Sequence, residues 1–157
     1  MNMSSKPSYT HIETGKFLII IMVIVESVLY FQYRSESGNA APGNDFLIAT
    51  LILTLVVLNF YQLKMTVSEG KIEARYGIGL IKFTIEPESI EFVEKSKASL
   101  LNGIGIRFTK EGMLYSIQST ETVKIKFMKD RKVKTVQLGT DDREGLYDAI
   151  VNEFKTA

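Results

Sequence analysis

The sequence predicts a two-helix transmembrane hairpin followed by a mostly-β domain, an antiparallel barrel of about seven strands capped by a C-terminal α-helix. Three observations carry that expectation. Two apolar runs, Phe17–Tyr33 and Phe46–Leu63, lie close together near the start, each about as long as the ~17–25 residues a helix needs to cross a hydrocarbon core. From Met65 onward apolar residues alternate with polar ones, as half-buried strands require. The last stretch returns to helical spacing, with Leu146, Tyr147, Ile150, Val151 and Phe154 on one face.

Residues 1–16 read as a polar, cytoplasmic tail that holds the only histidine, His11. Residues 17–33 form the first span. Cleavage as a signal peptide near Ala40–Ala41 is not expected, because the run exceeds an ordinary h-region of ~7–15 residues, carries Glu26 and is followed at once by a second span. Residues 34–45, Arg34-Ser-Glu-Ser-Gly-Asn-Ala-Ala-Pro-Gly-Asn-Asp45, are rich in turn formers and make an external loop. So short a connection joins antiparallel neighbours, which brings the second span, 46–63, back to the starting side. Lys6, Lys16, Lys64 and Lys71 flank that side against Arg34 in the loop. The bias places both termini in the cytoplasm of a plasma (inner) membrane protein.

Glu26 falls near the middle of the first span, where an ionisable group is costly and by default functional. Pairing the ends of the two runs sets Thr54 at its depth, with Thr50 one turn away. The expected role is an intramembrane polar contact between Glu26 and Thr54, Ser27 or a neighbouring chain, which orders the hairpin or a homo-oligomer. A small transport or channel subunit using Glu26 is the sharper alternative.

In residues 65–157, Ile72, Ala74, Tyr76 and Ile78 alternate with Lys71, Glu73 and Arg75, and Ile81, Phe83 and Ile85 with Lys82 and Thr84. Similar runs cover Ile104–Phe108, Met113–Ile117 and Val123–Phe127, with a less regular one at Ile90–Val93. Val133, Val136 and Leu138 slip phase once, as a bulge does. Turn formers separate these runs at Ser68–Gly70, Tyr76–Gly79, Glu86–Ser89, Lys110–Gly112 and Lys129–Arg131. Short strands in succession without helices between them point to a barrel or sandwich. Thr140 or Asp141 is placed to cap the final helix, and Glu144 to complete a capping box with Asp141.

Four segments, Ile72-Glu-Ala-Arg-Tyr-Gly77, Phe83-Thr-Ile-Glu-Pro-Glu-Ser-Ile-Glu-Phe-Val93, Asn102-Gly-Ile-Gly-Ile-Arg107 and Gly139-Thr-Asp-Asp-Arg-Glu-Gly-Leu146, stand in the order of a bacterial pleckstrin-homology-like domain. From Met65 to Phe154 the chain resembles that family, whose members often follow one or two membrane helices. The resemblance implies a strand shell closed by one helix, and it brings no catalytic or ligand residues with it. In eukaryotic relatives a basic cluster in an early strand loop binds phosphoinositides. The matching turn here, Tyr76–Gly79, has only Arg75 and Lys82 beside it.

Composition narrows the function. The chain has 157 residues, no cysteine and a formal charge of +1, so disulfides, thiolate chemistry and the basic excess of a nucleic-acid binder are absent. One histidine leaves no histidine-rich metal site or histidine-based triad. Gly77-Ile-Gly79 and Gly103-Ile-Gly105 are followed by no helix, so they read as turns and not as phosphate loops. Glu86, Glu88, Glu91 and Glu94 make a solvated edge. Lys124, Lys126, Lys129, Arg131, Lys132 and Lys134 are the densest basic group and the candidate lipid-facing residues of an anionic-lipid sensor. The expectation is a membrane-tethered interaction or scaffold module. Its partners are the lipid bilayer and an unidentified protein, and it has no catalytic residues, cofactor or metal.

Overall fold

The computed structural model describes residues 8–37, 43–98, 105–110 and 112–155. Lys6, Ala40–Ala41, Gly103, Ile104 and Glu111 lie outside the described residues. Residues 9–14 form strand β1 (Tyr9–Thr14) where the sequence reads as a tail. It pairs antiparallel with β2 (Gln62–Ser68), Tyr9 opposite Val67 and Thr14 opposite Gln62. Between these two adjacent strands the chain leaves the sheet and returns as α1 (Lys16–Ser37) and α2 (Asn44–Phe60).

The expectation of two full spans is corrected. Among the described residues only α1, over Lys16–Ser35, is long and apolar enough to cross a membrane. Seventeen residues of α2 reach only ~25 Å at ~1.5 Å per residue, short of a ~30 Å hydrocarbon core. The apolar run Phe46–Leu63 looked longer because it contains parts of two elements. The helix stops at Phe60, and wholly buried Leu63 already belongs to the core face of β2. Apart from the last turn of α2, both helices stand clear of the sheets: α2 has no buried residue, and Val23 and Leu51 are 61% and 60% exposed.

The expected seven-stranded barrel is also corrected. β1 and β2 join β3 (Lys71–Tyr76) and β4 (Ile81–Ile85) in one sheet of order β1-β2-β3-β4. A second sheet holds β5 (Ser89–Lys97), β6 (Gly105–Thr109), β7 (Gly112–Ser116), β8 (Glu121–Lys129) and β9 (Lys132–Gly139), in the order β5-β8-β9-β7-β6. Among the described residues no strand of one sheet pairs with a strand of the other, so the shell is open. Its pairing is not wholly antiparallel either, since β7 lies parallel to β9, with Met113 opposite Val136. Side-chain alternation specifies which face of a strand is buried, but not which strand lies beside it.

The phase slip at Val133 is not a bulge. The β8–β9 ladder runs unbroken from Thr122↔Gly139 to Lys129↔Lys132. Only the second half of β9 is flanked on both sides, by β8 and β7, and it buries Val136 to Gly139 in succession. The register shift falls instead in β5, between Ile90 and Phe92.

Inward residues of the two sheets meet in one core, Leu63, Met65, Ile72 and Tyr76 with Val123, Ile125, Phe127 and Leu138. The last helix, α3 (Arg143–Lys155), lies across the gap between the sheets and touches β1 and β2 on one side, β5 and β8 on the other. Its Leu146 and Ile150 are wholly buried.

Main-chain bonds tie the ends of the helices and the β3–β4 turn to one another. The Gly15 amide donates to the Tyr61 carbonyl at 2.8 Å, the Gly77 amide to the Gln62 carbonyl at 2.8 Å, and the Ile78 amide to the Leu58 carbonyl at 3.0 Å. Gly77 has a φ of 47°, and a β-carbon there would meet the backbone of Leu58 and Asn59. Only glycine lets the β3–β4 turn sit this close to the end of α2.

Candidate functional site

β5 is an edge strand. It pairs with β8 alone among the described residues, and all nine of its residues are exposed or half-buried. Its bulge, which leaves Glu91 without an opposite residue, sets Ile90 and Val93 on the same face although they are three apart, opposite buried Phe127 and Ile125. Ile90 and Val93 face Tyr147, Val151 and Phe154 of α3 across a groove of about 330 Å³, and Phe92, whose ring lies under the Lys126 ammonium on the other face of β5, stands at its margin. The rim is charged but compensated. Lys95 pairs with Glu144, holding that carboxyl below its ordinary range, and its ammonium lies 4.7 Å from the Tyr147 ring centre. An apolar ledge beside an open strand edge can take up an extended chain: main-chain groups bind the backbone, and the groove takes alternate side chains.

The basic residues of the β8–β9 hairpin do not form one free face. Lys126 pairs with Glu91 at 2.7 Å, Lys124 with Glu94 at 3.2 Å and Lys134 with Asp130 at 3.5 Å. The acids of β5 thus neutralise the lysines of its neighbour. Lys129, Arg131 and Lys132 lie at the hairpin tip, where Asp130 and Arg131 both have positive φ, as a two-residue hairpin turn requires.

Glu26 faces α2 in a groove of about 520 Å³ that Ser27, Thr50 and Thr54 also line. Its partner is Thr50, whose hydroxyl donates to Oε2 at 3.3 Å, and Ser27 donates back to the Val23 carbonyl of its own helix. The pairing differs by one turn from the Glu26–Thr54 contact expected because the helices are pinned at Gly15 and Tyr61. Equal distances counted from that contact bring Glu26 opposite Thr50, whereas counted from the ends of the apolar runs, Phe17 and Leu63, they bring it opposite Thr54. Comparison with protein-family models, curated proteins and solved structures returned no match to this chain.

A third cluster has no apolar signature in the sequence. Tyr9, His11 and Glu13 alternate along β1 and turn inward toward the start of α3. The Tyr9 hydroxyl donates to Asp142 Oδ2 at 3.0 Å, and His11 Nε2 lies 2.5 Å from Asp141 Oδ1. Burial and the bond to Asp142 push the Tyr9 phenol well above its usual range. Glu13 is 2% exposed, and neither carboxyl oxygen has a geometrically sound hydrogen bond among the described residues. Burial first, and then the charge of Asp141, pushes its pKa up to about 7; His11 and the nearby Ser119 backbone oppose that shift. Asp142, not Asp141, caps α3, its Oδ1 accepting from the Gly145 amide at 3.1 Å. Glu144 pairs with Lys95 and Arg143, so the capping box expected with Asp141 does not form. The period-two spacing of Tyr9, His11 and Glu13 was the available signal. Among the described residues no group of histidine and acidic side chains is arranged to hold a metal.

Proposed function

We propose that this protein is a membrane-anchored interaction module, without catalytic activity of its own, whose β5 edge and α3 groove receive an extended segment of a partner protein. The observation that carries the reading is the pairing of an open strand edge with an apolar groove walled on one side by Ile90 and Val93, with Phe92 at its margin. The anchor rests on α1, an apolar helix that the sheets leave bare and that the shorter α2 accompanies. Two such helices in water would expose far more contiguous apolar surface than the few hundred Å² usual for a soluble monomer. Lys16, Lys64 and Lys71 lie on the sheet side of the helices and Arg34 at the far end, a bias that supports a cytoplasmic position for the sheets. The anionic-lipid alternative is weakened by the pairing of Lys124, Lys126 and Lys134 with acids.

The test is photo-crosslinking in intact cells, with a benzophenone amino acid at Phe92 and, as a control on the second sheet, at Phe108. A discrete adduct from Phe92 that is lost on adding Val93→Lys, with no such adduct from Phe108, supports the reading. Identical adducts from both positions, or none from Phe92, overturn it.

A further inference from the structure

The β3–β4 turn carries two bare aliphatic side chains, Ile78 at 55% and Leu80 at 74% exposure. Neither contributes to the core, and the turn is tied to the end of α2. The Ile78 amide is bonded to the Leu58 carbonyl at 3.0 Å, and Gly77 packs against the backbone of Leu58 and Asn59 without room for a β-carbon. Leu58 lies two residues inside the end of α2, ~3 Å along the axis at ~1.5 Å per residue. The turn therefore sits at the depth of the last apolar turn of that helix. Because α2 is ~5 Å shorter than a hydrocarbon core of ~30 Å, a bilayer that takes it in brings its boundary down to Phe60 and onto this turn.

We propose that the β3–β4 turn is a further membrane contact, with Ile78 and Leu80 inserted at the boundary between headgroups and acyl chains of the leaflet nearest the sheets. The occupant of this patch is lipid, because the patch adjoins the bare apolar surface of α2 and is held to it by the Ile78–Leu58 main-chain bond and the close packing of Gly77. The charges behind it suit a headgroup layer. Arg75 and Lys82 share one acid, Glu73, at 2.8 and 2.7 Å, which leaves an excess of one positive charge among the three. Two helices and one turn make three points of attachment, and three points fix the tilt of the sheets as well as their distance from the bilayer. The inference rests on the anchor proposed above, and its test separates the two.

The chain has no cysteine, so single cysteines can be labelled without background. Full-length protein carrying Ile78→Cys, Leu80→Cys, Leu51→Cys or Lys71→Cys is labelled with bimane. It is then reconstituted in phosphatidylcholine–phosphatidylglycerol vesicles and quenched with spin-labelled lipids. Leu51 lies within α2, and Lys71 stands at the end of β3 remote from the helices. Quenching at 78 and 80 between that of 51 and that of 71, and undiminished by high salt, is the expected result. Strong quenching at 51 with 78 and 80 as dark to lipid as 71 overturns the turn contact and leaves the anchor standing. Absence of quenching at 51 overturns the anchor, and the turn contact with it. All four substituted side chains are exposed, so the fold tolerates the change.

Discussion

Replacing Glu13 with glutamine should stabilise the fold at high pH and have little effect at low pH. The side chain is 2% exposed, and its pKa rises from an ordinary 4.5 to about 7 in the folded chain. Below 4.5 the carboxyl is protonated in both folded and unfolded chains, and its contribution to stability is at its best. Between 4.5 and 7 the folded chain keeps the proton that the unfolded chain has released, so stability falls as pH rises. Above 7 both are ionised and the penalty is complete, about 3 kcal/mol for a shift of this size. Glutamine has the same shape and cannot ionise. The protonated acid and the amide both place unpaired polar atoms in the same pocket, so that cost largely cancels at low pH. The assay is unfolding of both full-length chains in detergent micelles, followed by circular dichroism, below 4.5 and well above 7. Titrating groups that do not interact with Glu13 drop out when the advantage of Glu13→Gln at one pH is subtracted from its advantage at the other; Asp141 and His11, which do, modulate the difference. A difference near zero, or an advantage larger in acid, refutes the reasoning.

Two further outcomes bear on how the helices are held. Gly77→Ala must place a β-carbon against the Leu58 carbonyl at positive φ and should cost at least about 2 kcal/mol from backbone strain and overpacking together. Gly70→Ala, at positive φ but with nothing within 4 Å, should cost about 1–2 kcal/mol from backbone strain alone, and equal losses for the two in chemical denaturation would contradict the docking. Thr50→Val should weaken the helix pair by about 1 kcal/mol or less and Thr54→Val by less still, read as the detergent concentration at which the pair separates. A larger loss from Thr54 would argue against the helix register described.

Strands were legible in the sequence where one face meets the core and the other meets water. Ile72, Ala74 and Tyr76 in β3 and Val123, Ile125 and Phe127 in β8 are buried as their spacing requires. Leu146 and Ile150 likewise marked α3. β1 was missed because its inward residues are Tyr9, His11 and Glu13, which pack against the polar start of α3 and give no apolar signal. The end of α2 was misplaced because an apolar helix runs into a strand whose first inward residue, Leu63, is also apolar. Division of the strands into two sheets, and the parallel contact of β7 with β9, depend on long-range partners that alternation does not encode. The groove was partly hidden by the bulge in β5, which sets Ile90 and Val93, three residues apart, on one face in place of the i, i+2 pair Ile90 and Phe92.

Because β1 and β2 are neighbours in the sheet yet separated in the chain by both helices, assembly has an order. β1 is translated first and must wait, unzipped, until α1 and α2 have emerged and folded back. Only then does Gln62 come within reach of Thr14. The helix pair thus acts as the turn of one very long hairpin, and a chain whose helices fail to pair leaves β1 stranded and the first sheet without its outer strand.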